Sequence, residues 1–320
     1  ALAPAARSAW TVGTYYESNY GVGVRAGLDR RWINARGHIA RGDIEAAQAL
    51  QSLTTEYRIP HPKIAGAQWL LGLGLRSEST DSVDNRSGLL RAGLVGNWQA
   101  WTGVASLNAL HGSFRVGSRN VTPQRRDATV VYPELSLSRV YARDRIRPKV
   151  GGSVRFTARA ASENPGSDLD LLQLRVEGRY VRPAGEGARL LGRAELGWTE
   201  TNNFAALPPD LRFFAGGGGS VAGYAWQDVG PRDAAGDPIG GRNVATFSLE
   251  YERSFRSDWS WAAFVDGGNV FNGTQVNPVF GIGGGLRWSS PIGPIRIDLA
   301  DGLDNDDHAL QLHFSAGPDL

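Results

Sequence analysis

Over most of the chain, polar and apolar residues alternate with a period of two. In "LLQLRVEGRY", Leu172, Leu174, Val176, Gly178 and Tyr180 share one face, and Gln173, Arg175, Glu177 and Arg179 share the other. "VATFSLEYE" sets Ala245, Phe247, Leu249 and Tyr251 against Thr246, Ser248, Glu250 and Glu252. "IRIDL" and "LQLHF" repeat the pattern towards the C-terminus. Successive side chains of a β-strand point to opposite faces, so the pattern predicts strands with a different environment on each side. About sixteen such segments can be counted, each roughly ten residues or longer, divided by turn-rich breaks. They begin near Trp10, Gly21, His38, Gln51, Trp69, Gly88, Thr102, Ala128, Lys149, Leu169, Ala188, Val244, Trp259, Val279, Ile295 and Ala309.

Two kinds of protein hold this many strands: a soluble sandwich, jelly roll or propeller, and a membrane barrel. Strands of soluble proteins average about five or six residues, whereas a tilted membrane crossing takes about nine to eleven. The polar faces are also too charged for a core. Arg175, Glu177 and Arg179 in one strand, and Arg296 and Asp298 in another, suit a water-filled lumen. The apolar faces then meet lipid, where an open sheet edge is not tolerated, so the sheet must close. Trp10, Trp98, Trp101, Trp259, Trp261 and Trp288 fall near strand ends, as an interfacial aromatic girdle requires. The expected fold is all-β, a 16-stranded antiparallel transmembrane β-barrel occupying residues 1–320. With the first strand running outward, "SESTDSVDNRSG", "GSRNVTPQRRD", "SENPGSD", "NGTQVNP" and "DGLDNDD" become outer loops. The shorter "INARG", "RIRP", "RPAGEG", "FRSD" and "SPIGP" become inner turns, the asymmetry of an outer-membrane barrel.

Composition narrows the chemistry. Cysteine is absent, which excludes disulfides, thiolate metal sites and a thiol nucleophile. The five histidines include no pair at the helical spacing of a zinc hydrolase. A net charge of +2 is too small to argue for a nucleic-acid partner. Asp304, Asp306, Asp307 and His308 gather in one outer loop, but the spacing and glycine of a calcium loop are missing, so the cluster reads as a solvated acidic turn. No catalytic residue, cofactor or metal site is expected. Methionine is absent too, so the sequence reads as a mature or truncated chain.

One connection stands apart. About forty residues separate the eleventh strand from the twelfth, from Asn202 to Arg242, a length that marks a functional or disordered loop. A flexible linker is polar, whereas this one carries Phe204, Phe213, Phe214, Tyr224 and Trp226. Aromatic surface in water is costly, and the nearest concavity able to take it is the lumen. The run Gly216 to Gly219 permits a tightly folded tip. In "VFGIGGGLRW" the inward positions are Gly281, Gly283, Gly285 and Arg287. Three inward glycines either leave a groove for the loop or merely ease strand bending.

The stretch "RFFAGGGGSVAGY" resembles the loop hallmark of the BamA/TamA superfamily of outer-membrane insertases and transporters. There an aromatic-glycine run leads into a Val/Ile-Arg-Gly-Phe/Tyr tetrad that folds back into the barrel. "GGGLRWSSPIGPIRIDLA" is similar to the family's penultimate strands, and "HFSAGPDL" and "RWINARGH" are closest to its TamA branch. The resemblance singles out Arg212, Phe213, Gly216, Gly217, Val221, Ala222, Gly223 and Tyr224 as the loop motif, with Ala222 where the family carries arginine. In the family that arginine is held by inward-facing acids. The matching acids are Glu250 and Asp266, left to find another partner such as Arg212 or Arg296.

The resemblance further implies a non-enzymatic role in the cell outer membrane: insertion or secretion of β-barrel and autotransporter-type clients, without cofactor or nucleotide. The working part would be the joint between the first strand, with Trp10 and Val12, and the last, with Leu310, Leu312 and Phe314. Gly317 and Pro318 weaken the final strand. Implied partners are outer-membrane lipids, client β-barrel proteins and an inner-membrane-anchored TamB-like subunit, the last reached through N-terminal periplasmic domains expected outside this chain. A two-partner-secretion transporter or passive pore is the alternative, and an outer-membrane barrel enzyme the third.

Overall fold

The computed structural model describes residues 7–17, 20–122, 124–142, 147–164, 166–290, 293–304 and 310–316. Sixteen strands follow one another: β1 (Ser8–Glu17), β2 (Gly21–Arg30), β3 (Ile39–Ala47), β4 (Leu50–Pro60), β5 (Gln68–Ser79), β6 (Val83–Trp98), β7 (Trp101–Val116) and β8 (Arg126–Ala142). The second half holds β9 (Gly151–Ala161), β10 (Leu171–Pro183), β11 (Ala188–Thr201), β12 (Asn243–Ser254), β13 (Trp259–Phe271), β14 (Val279–Ser290), β15 (Gly293–Gly302) and β16 (Gln311–Ala316). Consecutive strands pair antiparallel in one sheet whose order is the chain order. Short connections leave each strand no nearer partner than the one before it. The sheet curls until β1 lies beside β16, their backbones coming within 8 Å.

The alternation of the sequence sorts cleanly between the two faces. Leu71, Leu73 and Leu75 on β5, Leu90 on β6, Leu107 on β7, Leu172 and Leu174 on β10, and Leu299 on β15 are all exposed on the outer wall. So continuous an apolar surface would aggregate in water and is at rest only in hydrocarbon. Tryptophans mark the band's rim. Trp98 and Trp101 face each other across the β6–β7 turn, and Trp259 stacks on Trp288 with ring centres 5.9 Å apart.

Inward-facing charges are matched rather than left bare. Glu134 on β8 accepts from Arg91 on β6 at 3.3 Å and from Arg159 on β9 at 2.7 Å. Arg175 on β10 meets Glu195 on β11 at 2.9 Å. A charge taken out of bulk water needs such partners, because its desolvation is otherwise uncompensated.

The outer ends depart from the expected loop pattern in one place. "SESTDSVDNRSG" is mostly strand: β5 runs to Ser79 and β6 starts at Val83, leaving Thr80–Ser82 as a tight turn. The physical reason is that β6 to β8 rise beyond the apolar band. Their outward residues turn polar there, with Asp84 bound by Arg115 at 3.0 Å and Arg125 at 2.6 Å. Their inward residues are buried, with Val83, Phe114, Val116 and Ala128 forming an apolar cluster. Loop-like composition on one face thus conceals a strand.

Leu107 sits on the lipid face near the middle of the crossing. Leu107→Arg is expected to cost about 2–4 kcal/mol of barrel stability, read by denaturant titration of folding into lipid vesicles.

Candidate functional site

The connection between β11 and β12 fills the outer half of the barrel. It opens with two single 3-10 turns, Phe204–Ala206 and Pro209–Leu211, the first capped by Asn203, whose side-chain oxygen accepts from the Ala206 amide at 3.2 Å. Leu207 and Leu211 are buried among Leu110 on β7, Val130 and Tyr132 on β8, and Leu171 on β10. Gln173 donates to the Leu211 carbonyl at 2.8 Å, and Asn85 to the Asp210 carboxylate at 2.8 Å. The base of the loop is therefore fixed to one wall by both apolar burial and hydrogen bonds.

Arg212 turns back into the loop itself. Its guanidinium donates to the carbonyls of Leu207 at 2.8 Å, Ile239 at 2.9 Å, Phe204 at 3.2 Å and Ala205 at 3.3 Å, and lies 4.6 Å from the centre of the Phe204 ring. Burial, helped by the nearby charge of Arg126, lowers its pKa to about 10, so it stays cationic at neutral pH. It is an internal clamp of the loop and not a partner for the lumen acids. That corrects one expectation.

The tip crosses to the opposite wall. Phe213 and Gly241 exchange backbone hydrogen bonds at 3.0 and 2.9 Å, and Val229 donates to Ala215 at 3.0 Å. Gly216 and Gly217 take φ values of +111° and +85°, the region that favours glycine. Ser220 closes the turn, its hydroxyl accepting from the Gly216 amide at 2.8 Å. Val221 and Tyr224 are buried with Phe213, Ala215, Val229, Val244 on β12 and Val270 on β13. Gly223 has φ +89° and lies against the backbone of Asp301 and Gly302, leaving no room for a side chain. The Tyr224 hydroxyl donates to the Phe280 carbonyl at 3.2 Å and accepts from the Asp304 amide at 3.2 Å.

The three inward glycines of β14 divide their roles. A Cβ on Gly281 would strike the carbonyl oxygen of Ala222, so this glycine does seat the loop. Gly283 makes room for Phe264 and Gly285 for Asp298, both wall side chains.

Glu250 and Asp266 find their cations on the wall. Asp266 Oδ2 accepts from the Ala222 amide at 3.0 Å and lies 3.8 Å from Arg193 on β11. Arg193 also donates to the carbonyls of Gly218 at 3.4 Å and Ser220 at 3.2 Å. Glu250 pairs with Arg287 on β14 at 2.9 Å, and Arg287 reaches Asp298 at 2.5 Å. Between them lies a chamber of about 120 Å³, lined by Ala222, Arg193, Glu250, Asp266, Arg287 and His313 among others. Reading the motif missed Arg193 and Arg287. Strand parity would have found them, since both occupy inward positions beside the acids.

The joint between the sheet ends is uneven. β16 spans six residues against ten in β1. It pairs with β15 from Ile295↔Ala316 to Ala300↔Gln311, and among the described residues no ladder joins it to β1. Trp10, Val12, Leu310 and Leu312 are exposed on the lipid side, and Phe314 is half-buried. Gly317 and Pro318 lie outside the described residues, as do Asp306, Asp307 and His308. Asp304 caps the loop, its carboxylate accepting from the Phe280 amide at 2.8 Å. No group of metal-ligating residues occurs among the described residues.

Gly281→Val is expected to unseat the tip at a cost of about 1–3 kcal/mol. The check is protease cleavage within residues 216–224 in a barrel that still migrates as folded on an unheated gel.

The sequence profile described as the Omp85 superfamily domain matches residues 33–319. The chain is 32% identical over 164 residues to the outer membrane protein assembly factor BamA of Nitratidesulfovibrio vulgaris, a match covering 48% of this chain and 21% of that protein. It thus spans about a fifth of the curated relative. Among solved structures, BamA from Haemophilus ducreyi lacking POTRA domains 1–3 superposes with a TM-score of 0.82 at 18% identity, covering 98% of this chain and 70% of that one. CdiB from Escherichia coli gives 0.64 at 13% identity, covering 98% and 63%. At these identities the likeness of the two structures is one of fold.

Proposed function

Because the chain belongs to the Omp85 superfamily and is an outer-membrane β-barrel of that family, we propose that it inserts or translocates client β-barrel proteins through the joint between β1 and β16. The observation that carries this reading is the mismatch at the joint, where six residues of β16 meet ten of β1 without a shared ladder among the described residues. Unpaired strand edges are templates for another strand. A client strand that docks there gains main-chain hydrogen bonds by β-augmentation, so its own folding supplies the driving force. The role calls for no catalytic residue, cofactor or metal.

The loop argues against a passive pore, because its buried apolar tip occupies the outer half of the lumen. Transport in the manner of two-partner secretion would need that loop to leave. The finer assignment is part of the same proposal: membership of the TamA branch, autotransporter-type clients and a TamB-like inner-membrane partner. It rests on the sequence stretches "RWINARGH" and "HFSAGPDL".

The test uses the absence of cysteine, which makes any introduced pair the sole thiols. Thr11→Cys is combined in turn with a cysteine at each position from Gln311 to Ser315, and the disulfide is formed in the folded barrel. Locking the joint is expected to abolish client assembly, with recovery on reduction. Undiminished assembly by the locked barrel would remove the proposal, and large steady single-channel currents would favour the pore.

A further inference from the structure

The loop tip touches both sides of the joint. On one side, the Gly223 amide donates to Nε2 of His313 on β16 at 3.4 Å. Gly218 packs so closely on the same imidazole that an added Cβ would lie 3.1 Å from its Cγ. On the other side, Trp226 sets its ring edge-on against Tyr20, with centres 5.9 Å apart and planes at 71°. Tyr20 immediately precedes β2 and is buried with Ala47 and Leu50. Its hydroxyl donates to Glu78 on β5 at 3.1 Å and accepts from Arg76 at 3.4 Å. Trp226 thus rests on a platform fixed to the first five strands.

The two contacts belong to one stiff turn. Gly217 donates to the Tyr224 carbonyl at 3.0 Å and Asp228 to the Ala225 carbonyl at 3.2 Å, so few free torsions separate His313's partner from Trp226. We propose that this turn is a brace across the joint: His313 holds β16, Trp226 holds the β1–β2 hairpin, and the joint opens only when one contact lets go. Asp266 and Gly281 anchor the tip to β13 and β14 alone and cannot restrain the other side. Trp226 is the end that releases. Its indole Nε1 is buried with no hydrogen-bond partner among the described residues, so leaving the platform for water regains a bond that the seated ring forgoes. The His313 end gives up its hydrogen bond from the Gly223 amide instead. The inference rests on the reading of the joint as the client's entry, and makes Trp226 and His313 positioning residues for it.

The experiment places spin labels on cysteines introduced at Val12 and Leu312 of the full chain in lipid nanodiscs, and reads the distance distribution between them. Trp226→Ala is expected to enlarge the separated population about two- to tenfold, the factor that a lost aromatic pair is worth. Trp226→Phe keeps a ring and is expected to restore the original distribution, and His313→Leu to open the joint as Trp226→Ala does. Heat-modifiable migration establishes that each variant is folded. The brace is overturned if folded Trp226→Ala leaves the distribution unchanged, or if the phenylalanine variant opens as far. Client assembly, measured separately, isolates the underlying reading. Distances that respond while assembly is indifferent uphold the brace and remove the entry role, whereas assembly that needs the joint without any response to Trp226→Ala removes the brace alone.

Discussion

A peptide group in hydrocarbon has no water to turn to, and each unpaired N–H or C=O there costs several kcal/mol. Everything about this chain follows from how completely its strands meet that demand. Fifteen consecutive antiparallel pairings give each of β2 through β15 a partner on both edges. The outer edges of β1 and β16 are left to satisfy each other, with six residues of β16 and ten of β1 among the described residues. Among the described residues, the one pair of neighbouring strands without a ladder is β1 and β16.

The interior reverses the usual plan of a soluble protein. Its wall carries charges where it faces water and buried apolar clusters against the loop, so the nearest thing to a hydrophobic core lies in the outer half of the lumen. The loop reaches across that space from the β6–β10 wall, where Leu207 and Leu211 are buried, to the β12–β15 wall, where Val221 and Tyr224 are buried. A connection anchored at both walls stiffens the barrel along a diameter, and its tip lies against the last strand. Stiffening and proximity to the joint are thus properties of one element.

Ala222 leaves the lumen acids without a charged partner from its own side chain. With no side chain to reach the acids, the tetrad contributes its backbone amide to Asp266, while Arg193 approaches that acid from β11 and holds two loop carbonyls as well. Arg287 takes Glu250 and Asp298 together. Electrostatic compensation lies on the wall, where rigid strands carry the cations. Because these groups are shared among several strands, the seat needs no cation from the loop.

Sixteen strands, their faces and their direction were legible in the sequence, because lipid on one side and water on the other impose a period of two that no other environment imitates over such lengths. The lumen-bound loop was legible as well, from aromatic residues too costly to leave in water. Local composition misled at Ser77 to Gly88, where an outward polar face raised above the membrane looks like a loop while Val83 and Asn85 are buried behind it. What sequence left open was every choice between distant partners: Arg193 and Arg287 for the acids, Arg212 for its own loop, Gly281 rather than Gly283 or Gly285 as the seat, and Tyr20 for Trp226. Periodicity tells a residue which way to face. Which neighbour it meets there depends on the stagger of strands and the path of a long loop, and these are settled only when the whole sheet curls.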